Sequence, residues 1–182
     1  MRRTLLAAVA AATLASPALA APSSVTVSDP AGDWPVTSQD VRRVRLSSDG
    51  KSVTLAFELV AAPDATTRYQ GYFATADYCN QGWIVNAIGA GTATAKADLS
   101  RTTCDPAGGI VATETSAATM KVRGTTVEVT APYALGVKRG LTVRYFNGAA
   151  STVLAAVGAG MDSATFLWTG DIAIGEVTYR LR

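Results

Sequence analysis

Val53-Thr54-Leu55-Ala56-Phe57-Glu58-Leu59 alternates along its length, so that in an extended chain Val53, Leu55, Phe57 and Leu59 share one face. That period of two is the signature of a strand with one side in a core. Just upstream, Val44-Arg45-Leu46-Ser47 alternates in the same way, and Ser48-Asp49-Gly50-Lys51 lies between the two stretches. An Asp-Gly pair flanked by alternating segments is a hairpin signal, because Gly takes the positive φ that a tight turn requires. The fold is therefore read outward from an antiparallel hairpin. Arg42-Arg43-Val44-Arg45, the densest basic stretch, reads as the wet face of its first strand.

The same criteria predict strands at Val25–Ser28, Tyr69–Thr75, Trp83–Ile88, Thr92–Ala97, Thr119–Arg123, Thr125–Thr130, Leu141–Asn147, Thr165–Thr169 and Glu176–Leu181. Gly, Pro, Asp and Asn punctuate them closely. The one helical signal is a single turn at Pro132-Tyr133-Ala134-Leu135, where Pro suits the first helical position and Gly136 can end it. Ala149–Gly160 is apolar and Gly-rich, and its periodicity is compatible with a buried strand or a short helix. The expected class is all-β, an antiparallel β-sandwich of jelly-roll or immunoglobulin-like type with one short helical turn.

Met1-Arg2-Arg3-Thr4, the apolar run Leu5–Leu14 and Ser16-Pro17-Ala18-Leu19-Ala20-Ala21 have the basic, apolar and small-residue parts of a secretory signal peptide. The run is too short for a membrane span, which needs about 20 residues. Cleavage after Ala20 would leave one domain, residues 21–182, in a secreted or extracytoplasmic location. Arg2 and Arg3 would leave with the leader, taking 16 basic residues to 14 against 14 acidic ones. A neutral surface without basic runs argues against nucleic acid or anionic membrane as a partner. In an oxidising compartment Cys79 and Cys104 are expected to form a disulfide, with roughly 3.5 kcal/mol from closing the loop between them.

The chain contains no histidine. That absence removes Ser-His-Asp and Cys-His nucleophiles, histidine bases, and the usual zinc, copper and haem ligand sets. What remains for an enzyme is a carboxylate pair or a Ser-Lys arrangement, and Asp77, Asp98, Glu114, Asp162 and Asp171 are scattered among expected loops. Asp29-Pro30-Ala31-Gly32-Asp33-Trp34, with Asp40 opening the next strand, has two readings. Asp29, Asp33 and Asp40 could together supply oxygen ligands to a structural calcium ion, or they could cap turns through the backbone. Among the aromatics, Trp34, Tyr78 and Trp83 are candidate ligand-binding residues, since flat apolar rings with polar tips suit sugars; a strand position such as that of Trp83 equally suits the core.

Asp29-Pro30-Ala31-Gly32-Asp33, Asp40-Val41, Ser48-Asp49-Gly50, and Val122-Arg123-Gly124-Thr125-Thr126-Val127-Glu128-Val129-Thr130-Ala131-Pro132 followed by Leu135-Gly136 together resemble exported bacterial β-sandwich domains similar to DOMON-like domains and family 9 carbohydrate-binding modules. The resemblance covers most of residues 21–182 and implies a sandwich that binds sugar, haem or structural calcium. The haem variant loses its usual ligand pair here, since beyond the leader only Met120 and Met161 remain as thioethers. The expected function is that of an exported non-catalytic binding module for polysaccharide or another envelope ligand. The alternatives are a structural subunit docking onto an envelope protein assembly and a carboxylate-based hydrolase.

Overall fold

The computed structural model describes residues 24–75, 82–104, 110–152 and 170–182. These form eleven strands: β1 (Ser24–Ser28), β2 (Val41–Ser48), β3 (Ser52–Leu59), β4 (Thr67–Ala74), β5 (Gly82–Ile88), β6 (Lys96–Cys104), β7 (Ile110–Ala117), β8 (Thr119–Arg123), β9 (Thr126–Pro132), β10 (Thr142–Thr152) and β11 (Gly170–Arg180). They build two antiparallel sheets, one ordered β1-β2-β3-β9-β8 and the other β11-β10-β4-β5-β6-β7.

The founding hairpin forms as its sequence directs. β2 pairs with β3 in the register Leu46↔Leu55 and Val44↔Phe57, and Asp49 Oδ1 accepts hydrogen bonds from the Lys51 and Ser52 amides while Gly50 takes φ 90°. Near the start of β2 the register shifts between Val41 and Arg43, a bulge that leaves Val41 and Val44 buried and Arg42 and Arg43 both exposed. The two arginines then flank Glu58, with Arg43 Nε 2.8 Å from its carboxylate and Arg42 at 3.8 Å. Exposed pairs of this kind add little stability.

The two sheets pack face to face, and the seam depends on a gap in one of them. Gly148 and Gly71 are cross-strand partners on β10 and β4. A methyl group on Gly71 would run into the Leu55 side chain, and one on Gly148 would run into Val44. The two missing side chains therefore make a trough in the six-stranded sheet that receives Leu55 and Val44 from the other. Around it Leu46, Phe57, Tyr69, Phe73, Val85, Leu99, Val129 and Phe146 are fully or almost fully buried. Each large apolar side chain so enclosed contributes about 1.5–3 kcal/mol relative to exposure.

Three expectations are corrected. Residues 132–135 are not helical: Pro132 ends β9, and Val137 N–H donates to Ala134 C=O at 2.9 Å across a tight turn in which Leu135 (φ 53°) and Gly136 (φ 86°) are both left-handed. Thr92 lies in the turn after Gly89, and the strand begins later, at Lys96. β7 was not foreseen, because Ile110–Ala117 is rich in Thr, Ser and Ala and lies largely exposed at a sheet edge. Within Ala149–Gly160, β10 extends through Thr152 and the remainder lies outside the described residues, as does the expected strand Thr165–Thr169.

The trough makes a direct prediction. Gly71→Ala should destabilise the domain by about 1–3 kcal/mol through overpacking against Leu55, read as a lower urea midpoint with an unchanged slope.

Candidate functional site

Strand alternation assigns each residue of β4, β5 and β6 either to the core or to the outer face of the six-stranded sheet. Tyr69, Phe73, Trp83, Val85 and Leu99 point inward and are buried in the core cluster. The alternate positions Gln70, Tyr72, Ile84, Asn86, Asp98 and Ser100 therefore share the outer face, and the register brings them into rows. Gln70 pairs with Asn86 and Asn86 with Asp98; Tyr72 pairs with Ile84, Ile84 with Ser100, and Ser100 with Thr115 of β7.

On that face the polar side chains join into one continuous hydrogen-bonded row. Gln70 Nε2 donates to Asn86 Oδ1 at 2.8 Å, and Asn86 Nδ2 donates to Asp98 Oδ1 at 3.0 Å. Ser100 Oγ donates to the same Asp98 oxygen at 3.0 Å and lies 3.2 Å from Thr115 Oγ1. The row thus crosses four strands. Gln70, Asn86 and Asp98 are half-buried, and the face becomes closed toward one end, where Ala74 and Thr102 are fully buried and Tyr72 is 5% exposed. Tyr72 lies over Gly82, where a methyl group would collide with its ring.

The residues expected to bind ligand are distributed differently. Trp83 is a core residue, 4% exposed and stacked on Phe73 with ring centroids 5.5 Å apart. Its indole N–H donates to Leu135 C=O at 2.8 Å, which anchors the left-handed turn against the sheet. No face of its ring is left for a sugar. Trp34 is half-buried in the loop between β1 and β2, with its indole nitrogen shut off from solvent and without a hydrogen-bond partner among the described residues. Tyr78 lies outside the described residues, and so does Cys79, hence the expected Cys79–Cys104 bridge as well.

The acidic loop gathers fewer ligands than expected. Asp33 is exposed, and among the described residues no three acidic side chains converge as a metal site would require. Asp40 is fully buried; its Oδ2 accepts the Gly32 amide at 2.7 Å, while Oδ1 has no hydrogen-bond partner among the described residues. Gly32 reaches it from φ 88°, with open space where a side chain would be, so backbone conformation rather than room calls for glycine there. Asp29 continues the pairing of β1 with β2, its amide donating to Arg42 C=O at 3.0 Å, and its Oδ2 is also shut off from solvent. Asp29 is half-buried and Asp40 fully buried, whereas Asp33 is exposed.

Paired hydrolytic carboxylates are not seen on the polar row. Glu114 pairs across from Arg101, one position along from Ser100, so it falls on the opposite face from Asp98. Asp77 and Asp162 lie outside the described residues, and the side chain of Asp171 is not described. Asp98, expected in a loop, instead sits within β6 among amides and hydroxyls. Comparison of the chain with protein-family models, with curated proteins and with solved structures gave no match.

The row was missed in sequence because Gln70 and Asn86 look like ordinary outward strand residues. Alternation shows that they face away from the core, but only the register shows that they touch.

The far end of the acidic loop is held by Asp64. Ser38 Oγ donates to Asp64 Oδ2 at 2.6 Å, and Tyr69 Oη donates to Ser38 C=O at 3.3 Å. Partial burial tends to raise the Asp64 carboxyl, but hydrogen bonds from Ser38, Thr66 and Thr67 outweigh it and hold the group well below the usual carboxylate range. A lowered folded-state value means that Asp64 stabilises the fold above the unfolded carboxylate pKa of about 4 and loses that contribution as the pH falls below it. The melting-temperature gap between wild type and Asp64→Asn should therefore be largest near neutrality and shrink on acidification.

Proposed function

We propose that this chain is an exported, non-catalytic binding module that holds a hydroxyl-rich ligand, a glycan, on the outer face of its six-stranded sheet. The observation that supports this reading is the row Gln70–Asn86–Asp98–Ser100–Thr115, hydrogen-bonded side chain to side chain across four strands. A free Gln side chain costs up to about 2 kcal/mol of rotamer entropy to immobilise. Here the row has already fixed its members before any ligand arrives, and such preorganisation reduces the cost of binding. Sugars are recognised by polar groups that donate and accept in fixed directions, and amides and carboxylates on a stiff sheet meet that need. Export is supported by the leader-like residues 1–20. The absence of histidine from the sequence and the lack of a partner carboxylate for Asp98 on the described face favour recognition over hydrolysis.

On a glycan array the intact protein should retain at least one polysaccharide, and Asn86→Ala should weaken that binding about tenfold by removing the central link of the row. Silence across the array, or an Asn86→Ala variant that binds as well as wild type, would remove the reading.

A second proposal concerns structural calcium at the loop between β1 and β2. It is favoured by Asp40, a buried carboxylate whose Oδ1 has no hydrogen bond, because an ionised oxygen out of water costs several kcal/mol unless something compensates it. Oxygen donors suit a hard cation, and Asp29 would be the second carboxylate ligand. Calcium should raise the melting temperature and chelation should lower it in wild type and in Asp33→Ala, whereas Asp40→Asn should not respond. A wild-type melt indifferent to chelator would leave the loop with turn-forming roles alone.

A further inference from the structure

The polar row has a direction, and Asp98 sets it. An ionised carboxylate can only accept hydrogen bonds. Asn86 must therefore turn its NH2 group toward Asp98, which leaves its carbonyl oxygen facing Gln70, and Gln70 must answer with its own NH2 group. On the other side Ser100 spends its proton on Asp98, so it can only accept from Thr115 across their 3.2 Å contact. Five side chains on four strands are thus aligned with their hydrogens toward one carboxylate.

The alignment determines what the row can still offer. Gln70 Oε1 and Thr115 Oγ1 are left as acceptors at the two ends, and Asp98 keeps its second oxygen, Oδ2, which receives no hydrogen bond among the described residues. The two amides each retain one N–H. A hydroxyl can both give and take, so it complements every one of these positions. An anionic group can only accept, and it would meet the one formal charge of the row, which is negative. Thr102 adds an independent mark of incompleteness: it is fully buried, lies two residues beyond Ser100 on the same face, and its hydroxyl has no hydrogen-bond partner among the described residues. The nearest cations on the face, Arg68 and Lys96, belong to the next row along, separated from each other by Ile88.

Resting on the glycan-binding reading, we infer that the ligand is a neutral, hydroxyl-bearing sugar whose hydroxyls donate to Asp98 Oδ2 and Gln70 Oε1, and that uronate- or sulfate-bearing glycans are discriminated against at Asp98.

The test measures affinity of the intact protein for two sets of soluble polysaccharides by titration calorimetry: neutral glucan, mannan, xylan and galactan, and the charged polygalacturonate and dextran sulfate. At least one neutral polymer should bind at least tenfold more tightly than either anionic one. Asp98→Asn should lose affinity for that neutral polymer by roughly tenfold, as expected for a weakened charge-assisted hydrogen bond, and should narrow the gap to the anionic polymers. Gln70→Ala should lose affinity for neutral and anionic polymers alike, without narrowing the gap, because it leaves the charge in place. Anionic polymers bound as tightly as neutral ones by wild type would overturn the inference and leave the glycan-binding reading standing, with no variant needed to decide it. No binding to any member of either set would remove both. Unchanged selectivity in a folded Asp98→Asn protein would also overturn the inference, since the discrimination would then arise elsewhere.

Discussion

The paired glycines Gly71 and Gly148 set how closely the two sheets approach. A sandwich normally fills the space between its sheets with side chains from both inner faces. At this point one sheet contributes none, and Leu55 and Val44 from the other occupy the vacated volume. Leu55 belongs to the same hairpin that announces the fold in the sequence, so the clearest local signal and the tightest long-range contact meet at one place. Protein interiors pack at near-crystalline density, so a methyl group added here has nowhere to go.

This packing decides which side chains the six-stranded sheet displays on its outer face. Every inward position of β4 and β5 is committed to the core by the seam, including Tyr69, Phe73 and Trp83, the aromatics that could otherwise have served as a platform. Successive residues on a strand point to opposite faces, so committing the odd positions leaves Gln70, Asn86 and their neighbours displayed on the other side. The core and the polar row are the two halves of one alternation. A change that slipped the register of β5 by one residue would exchange them and destroy both.

What the sequence disclosed, and what it hid, follows the range of the interactions. The β2–β3 hairpin was legible because its alternation and its Asp49-Gly50 turn are local, and most strands were found because a buried face leaves a periodic trace. β7 left none, since an edge strand of Thr, Ser and Ala with exposed sides has no apolar rhythm. The turn at Leu135 was misread because its chemistry is not local: Pro132 and Gly136 suit a helical turn, but Trp83, distant in sequence, takes Leu135 C=O as its hydrogen-bond acceptor. A left-handed Leu costs roughly 1–2 kcal/mol, and this contact from another sheet is what offsets it. In the candidate site the types of residue were legible and their company was not, because cross-strand register is a property of the whole fold.

Three aspartates separate structural from recognition roles by how far their oxygens are satisfied. Asp64 receives hydrogen bonds on both oxygens from Ser38, Thr66 and Thr67, so it has little left to offer a ligand and serves as a latch between the acidic loop and β4. Asp40 is as buried as any core residue, yet its carboxylate receives one hydrogen bond, from the Gly32 backbone amide, so its second oxygen carries a desolvation cost that the described protein groups do not offset. Asp98 stands between them: the residue is half-buried on the outer face, one oxygen is saturated by Asn86 and Ser100, and the other receives no hydrogen bond among the described residues. The saturated oxygen orients its neighbours, and the remaining one can meet a ligand without breaking any bond of the row. A carboxylate held in that divided state fixes the direction of its neighbours through one oxygen and leaves the other outside the bonding of the row.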